Sequence, residues 1–444
     1  MLAKPHLRRY VRKIQLYRTV KLSAYFQHPS AEALADRDSA LLKSAIQGAG
    51  IFDEQMVNNC LSAIVMRIWN KGSLLYENQT LAAETHATLF MSLSPNLEFL
   101  QLDMAGAESP IEIFLRHTNQ EPSRFLPSLR SIHIYHHPRH GTEYYGDYDF
   151  LSVLEYFHLY PSMESVRINR MRPATGGRKT LPPGKSNISK VYISNSYARS
   201  SYLAAIILHS KCLEEFIYTV EKRKEIALFQ YYGSEIRAYR LNEATNPIYP
   251  GTLRNTLLQH KPTLRKLNLD CNTDIKVATS SDEAELGEAN YDDTEDPSLS
   301  ENAYYPHGFD IGPLDEFTAL RKLSIGTELL LGKHEYHNRT LGLDKEMRQS
   351  PPFRLCKALP PNLKYLCIKG YEPGQCVYCT RQISDLIDRK AGRLPFPRRI
   401  DGVDELVPGD RHATWKQGGL PIQGESCSWN GASLSDYEGW KDFD

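Results

Sequence analysis

Nine hexads with apolar residues at positions one, four and six constrain this chain more than any other feature. They are VRKIQL at 11, LEFLQL at 97, LRSIHI at 129, MESVRI at 163, ISKVYI at 188, LEEFIY at 213, LRKLNL at 264, LRKLSI at 320 and LKYLCI at 363. IRAYRL at 236 is a looser tenth, and LSAIVM at 61 also fits although Gln55–Trp69 reads as a helix. Successive side chains of a strand point to opposite faces, so positions four and six enter one layer while three and five leave it. One such strand cannot bury its own apolar residues and needs neighbours on both sides. Five hexads follow a proline in the same place: SPNLEFLQL, LPSLRSIHI, YPSMESVRI, KPTLRKLNL and PPNLKYLCI. Upstream of most lies a helix-like apolar run, and proline ends a helix and favours an extended continuation.

Helix, proline turn and strand, repeated with few hairpin signals, predict parallel strands backed by helices. The L-x-x-L-x-L pattern is that of a leucine-rich repeat. The expected fold class is therefore α/β, an irregular leucine-rich-repeat solenoid over 1–407, with parallel strands on the concave face and helices on the convex face. Its first strand is placed at 11–16, an irregular helical part at 17–96, and repeats at 97–276 and 304–407. Two of the intervals between hexads are 25 residues and the others are longer, which implies insertions. One insertion is 277–303, with nine acids and no Lys or Arg, expected to be disordered. The Gly- and Ser-rich stretch 408–444 reads as a flexible C-terminal tail.

Composition narrows the function classes. With 53 basic and 53 acidic residues the chain has no net charge to attract nucleic acid or an acidic membrane. No apolar run approaches the length of a membrane span. Eight cysteines in 444 residues, without a secretory leader, fit free thiols in a reducing compartment. The expected location is cytoplasmic or nuclear, with the Asn78, Asn187 and Asn338 sequons unused. Residues 1–31 hold seven basic residues and no acid, so a mitochondrial presequence is the competing reading.

Five segments, in three parts of the chain, resemble the filamentous-fungal group of F-box-associated leucine-rich repeat proteins. HLRRYVRKIQLY at 6–17 is similar to the segment after the F-box. LEEFIYT at 213 and LLQHKPTLRKLNLD at 257 are similar to the central repeats. LPPNLKYLCIKGYEPG at 359–374 and IDGVDELVP at 400–408 resemble the closing repeat and cap. The resemblance implies the substrate-recognition part of an F-box-type ubiquitin ligase receptor. Because it begins almost at Met1, the chain is expected to lack the F-box itself. A Skp-type adaptor and a cullin are implied only if an F-box lies upstream.

The outward strand positions are the expected partner surface. They comprise Lys13, Gln15 and Tyr17; Phe99, Gln101 and Asp103; Ser131, His133 and Tyr135; Ser165, Arg167 and Asn169; and Lys190, Tyr192 and Ser194. Later copies add Lys266, Asn268, Asp270, Lys322, Ser324, Tyr365, Cys367 and Lys369. Aromatic and Arg side chains favour contact surfaces, so the footprint of a protein partner is placed on His133, Tyr135, Arg167, Asn169, Lys190 and Tyr192. No cofactor is implied and no catalytic motif is present, so the chain reads as non-catalytic, either a ligase receptor module or a stand-alone scaffold. An alternative of another class is a zinc or thiol protein using Cys376-Val-Tyr-Cys379 with Cys367, although no second C-x-x-C completes a tetrahedral set. The loop around His136, His137, His140 and Glu143 has ligand-type residues, and the basic loop 170–186 has charge. Both read as solvated loops, and no nucleic-acid or membrane partner is expected.

Overall fold

The structure is a computed structural model. It describes residues 5–16, 36–69, 76–103, 109–120, 125–135, 146–147, 150–172, 181–196, 198–220, 229–232, 235–238, 248–270, 310–332, 355–372, 377–393 and 399–403. The expected acidic insertion and C-terminal tail, the His136–Glu143 loop, Tyr17 and much of the basic loop lie outside these residues. The chain divides into two units, Met1–Tyr192 with His209–Lys211, and Ile193–Leu208 with Cys212–Asp444.

In the first unit the strands are β1 (Lys13–Gln15), β2 (Phe99–Asp103), β3 (Ser131–Tyr135), β4 (Gly146–Asp147), β5 (Ser165–Asn169), β6 (Met171–Arg172) and the start of β7 (Lys190–Ser194). In the second they are β8 (Glu215–Thr219), β9 (Phe229–Tyr232), β10 (Glu235–Ala238), β11 (Lys266–Asp270), β12 (Lys322–Gly326), β13 (Tyr365–Lys369) and β14 (Arg399–Asp401). Ten of them form a parallel sheet in the order β1-β2-β3-β5-β7-β8-β11-β12-β13-β14. All nine hexads lie in that sheet. IRAYRL does not, because β10 pairs antiparallel with β9 as a separate hairpin. The tenth strand, β14, comes from RRID, too short to show a period.

Register is set by the apolar positions. In the first unit Ile14 lies opposite Leu100, Leu100 opposite Ile132, and Ile132 opposite Val166. In the second, Leu267 lies between Phe216 and Leu323, and Leu323 opposite Leu366. All of these are buried. A one-residue slip would turn every one of them to the outer face, so burial holds the register.

The proline has a more specific role than stopping a helix. The N–H groups of Leu97, Leu129, Met163 and Leu363 donate to the carbonyls of Ser94, Leu126, Tyr160 and Pro360, at 3.1 to 3.3 Å. Proline 95, 127, 161 or 361 thus occupies the second position of a β-turn, where its fixed φ is suited. The third turn residue then ties one rung to the one before it. Asn96 Nδ2 donates to the Arg9 carbonyl at 2.9 Å, Ser162 Oγ to that of Pro127 at 2.7 Å, and Asn362 Nδ2 to that of Thr318 at 2.8 Å. Replacing Ser162 or Asn362 by alanine is expected to cost about 1 kcal/mol each, the usual net worth of such a bond. Urea unfolding of the two variants checks this, and a cost near zero would mean the ties are incidental.

KPTL starts its turn one residue earlier, with Thr263 and Leu264 N–H both donating to the His260 carbonyl, at 2.9 and 2.8 Å. The buried His260 ring there accepts from Leu213 N–H at 3.2 Å and places Nε2 3.0 Å from the Ile207 carbonyl. Its burial pushes the imidazole below its ordinary range, so the neutral ring donates from Nε2 and accepts at Nδ1.

Helices α1 (Asp36–Gly48), α2 (Glu54–Trp69) and α3 (Tyr76–Ser92) account for most of the irregular N-terminal part. Ile46, Ile51, Val57, Cys60, Ile64 and Leu89 form a shared core there. LSAIVM at 61 is therefore helical, with Ile64 in that core and Leu61 packed against it. The remaining helices are α4 (Pro110–Gln120), α5 (Phe150–Phe157), α6 (Ser200–His209), α7 (Pro250–Leu258), α8 (Thr327–Leu331), α9 (Leu355–Ala358) and α10 (Val377–Arg393). Most of them precede the turn of the next rung. Between α4 and α5 the Tyr156 hydroxyl donates to Glu112 at 2.7 Å, and Arg116 pairs with the same carboxylate oxygen at 2.9 Å.

Candidate functional site

The outward positions of the strands form three rows, because parallel strands in register stack like on like. In the first unit the leading row is Lys13, Phe99, Ser131, Ser165 and Lys190, and the middle row is Gln15, Gln101, His133, Arg167 and Tyr192. These residues touch along the rows. Gln15 Nε2 donates to Gln101 Oε1 at 2.9 Å, and Ser165 Oγ to Ser131 Oγ at 2.7 Å. The Lys13 ammonium lies 4.7 Å from the Phe99 ring centre, and the Arg167 guanidinium 4.5 Å from that of Tyr192. Tyr135 packs 6.1 Å from the His133 ring and donates its hydroxyl to the Leu16 carbonyl.

All six residues of the expected footprint are on this face of the first unit. Arg167, Asn169, Lys190, Tyr192 and Tyr135 are half-buried. His133 differs, at 8% exposed. Sequence alternation gives the side a residue points to, but not what its neighbours cover, and Gln101, Tyr135 and Arg167 crowd this ring. Burial and the adjacent Arg167 cation push His133 down to about 4. The folded protein thus holds this proton less tightly than the unfolded chain, where the ordinary value is 6.5. The stability this ring contributes is complete above pH 6.5 and is lost as pH falls through about 4. The urea midpoint should drop between pH 7 and pH 4.5, and should drop less in His133→Gln. An equal drop in both would rule out His133 as the source.

In the second unit the middle outward row is Ile217, Asn268, Ser324, Cys367 and Asp401. It is more closely covered than alternation predicts: Asn268 is 3% exposed, Ser324 0% and Cys367 4%. Lys369 supplies part of the cover. Its ammonium reaches past Gly326, which has no side chain to block the path, to Asp270 Oδ2 at 2.8 Å and Asn268 Oδ1 at 3.4 Å. Lys266 pairs with Glu215 at 3.7 Å, and the Tyr365 hydroxyl donates to Asp401 at 2.8 Å. Burial raises the Tyr365 phenol and the Cys367 thiol above their ordinary ranges.

Cys367 is on β13 and Cys379 is buried within α10, while Cys376 lies outside the described residues. Among the described residues no three His, Cys, Asp or Glu side chains converge in a way that could hold a metal. A thiol whose pKa is raised by burial is a poorer thiolate ligand or nucleophile. Cys356, for its part, donates its thiol to Asp385 at 3.3 Å. Cys212 is exposed, while its neighbour Leu213 is buried.

No family model, curated protein or solved structure matches the chain. Among the described residues no helix is long and apolar enough to cross a membrane. Sequence reasoning missed the outward residues of β8 and β14. Those of β8, Glu215, Ile217 and Thr219, follow from the LEEFIY hexad by the same alternation. Those of β14 follow from nothing so regular.

Proposed function

We propose that the chain is a leucine-rich-repeat interaction module that binds another protein on its outward strand face and performs no catalysis of its own. The observation that supports this most is the row-by-row stacking of polar and aromatic side chains across in-register strands. Such rows give a continuous strip of donors, acceptors and rings on a rigid scaffold, which suits protein contact. On the resemblance of residues 6–17, 213–219, 257–270, 359–374 and 400–408, the module corresponds to the substrate-recognition part of an F-box-type ubiquitin ligase receptor, working in the cytoplasm or nucleus. A stand-alone scaffold would use the same face.

Affinity purification in stringent salt separates the two. A Skp-type adaptor and cullin recovered in stoichiometric amounts would make the chain part of a ligase. A protein partner without them would make it a scaffold. Recovery of no protein at all, or of one whose binding is unchanged on substituting the outward face, would end the interaction reading. A C-terminal fluorescent fusion that collects in mitochondria with a shortened N-terminus would overturn the proposed location.

A further inference from the structure

We propose that the outward strand face of the first unit takes an extended, acidic protein segment, held by Lys13, Arg167 and Lys190. This deepens the interaction reading above and rests on it.

The charges on the two faces are handled differently. In the second unit Lys266 and Lys369 each have a carboxylate within the face, Glu215 and Asp270. In the first unit, among the described residues, Lys13, Arg167 and Lys190 have none. Lys13 and Arg167 lie against aromatic rings instead. A ring attracts a cation but does not cancel its charge. By sequence, the outward positions from β1 to β7 carry these three cations against a single acid, Asp103. The carboxylates beside this face, Glu98 and Glu164, are occupied at its edge by Arg12 and Arg130, at 3.0 and 3.8 Å. Three uncompensated cations on one strip are the complement of a partner rich in Asp and Glu.

Geometry sets the form of the ligand. Neighbouring strands are about 4.8 Å apart, so Lys13 on β1 and Lys190 on β7 are separated by four spacings, about 19 Å. An extended chain covers that in roughly six residues. Arg167 lies between them, and stacking on Tyr192 orients its planar fork for bidentate bonds to one carboxylate. His133 beside it is uncharged at neutral pH. The face therefore offers an oriented fork with one ammonium group a single strand away and another three strands away, and a folded acidic surface would meet these less fully than a single strand of chain.

The test uses the full-length chain and a fluorescein-labelled twelve-residue peptide alternating Glu and Ala. Its Gln counterpart and a single-stranded oligonucleotide of similar length serve as comparisons, all read by anisotropy. The Glu peptide should bind at least tenfold tighter than the Gln peptide and weaken as salt is raised. Combined Lys13→Gln, Arg167→Gln and Lys190→Gln should weaken it at least tenfold, while Lys357→Gln, at an exposed position on α9, should leave it unchanged. If the triple variant loses its circular dichroism spectrum, the single Lys13→Gln and Lys190→Gln variants are read in its place, each expected to weaken binding severalfold. Equal binding of the Glu and Gln peptides, retention of affinity in the folded variants, or tighter binding of the oligonucleotide would each overturn the proposal. A natural partner that the triple variant still captures would sink the acidic ligand while leaving the interaction module standing. Peptide binding with no cellular partner recovered would do the reverse.

Discussion

Leu267→Ala should lower the unfolding free energy by about 2–5 kcal/mol, the range found when a fully buried leucine is truncated. Leu267 is fully buried on β11, and its register neighbours are Phe216 on β8 and Leu323 on β12, both equally buried. The cavity would open in the middle of a row whose members are held by backbone hydrogen bonds on both sides. Strands tied in register cannot close in by the amount a lost isobutyl group requires, so the upper half of that range is expected. Leu159→Ala is the control, because Leu159 is about half exposed at the end of α5 and should change stability by no more than about 0.5 kcal/mol. Urea unfolding followed by circular dichroism reads both. If the two variants unfold alike, the inward row is not close-packed and the account of the register given above fails with it.

Gly50→Ala should cost about 2–5 kcal/mol, for two separable reasons. Gly50 follows the end of α1 with φ at +87°, a conformation that a residue with a Cβ adopts only under strain. An added Cβ would also lie 2.3 Å from Cδ2 of His117, well inside contact distance. The imidazole cannot simply step aside, since it packs edge-on against Phe52 at 5.5 Å and Phe125 at 5.4 Å. The double variant with His117→Ala removes the collision with the ring but keeps the backbone strain and a contact with the Cβ of residue 117 at 2.8 Å, so it should be less destabilised than the sum of the two singles, though not fully relieved. Strict additivity of the two would show that the collision with the ring contributes nothing. A similar cost is expected at Gly402, where a Cβ would lie 2.0 Å from the Ile368 carbonyl oxygen.

Much of the sheet was legible because its determinants are local. The alternation in LRKLNL or LKYLCI puts two apolar side chains on one side whatever else the chain does, and proline two positions further back fixes the turn that starts the strand. Even the Asn or Ser after that proline can be read as a tie to the preceding rung once the turn is known. LSAIVM at 61 shows the limit of this reading. Its six residues satisfy the strand pattern, yet the sixteen-residue run around them is amphipathic at helical period and has α1 and α3 to pack against. The longer period prevails because it buries a whole face rather than two side chains. IRAYRL failed for a related reason, since the neighbouring FQYY gave it an antiparallel partner close in the chain.

The hexads and the helix-like runs between them therefore determined nine of the sheet's ten strands, that these run parallel, and which side of each is buried, because a two-residue period has to be covered and an intervening helix returns the chain to start the next strand in the same direction. The tertiary structure decided which outward side chains stay available. Lys369 meets Asp270 ninety-nine residues away, through a gap left by Gly326 on the strand between them. Arg167 lies against the Tyr192 ring of the neighbouring β7, with no carboxylate beside it among the described residues. Such pairings depend on residues brought side by side only when distant rungs stack, so no local pattern in the sequence contains them.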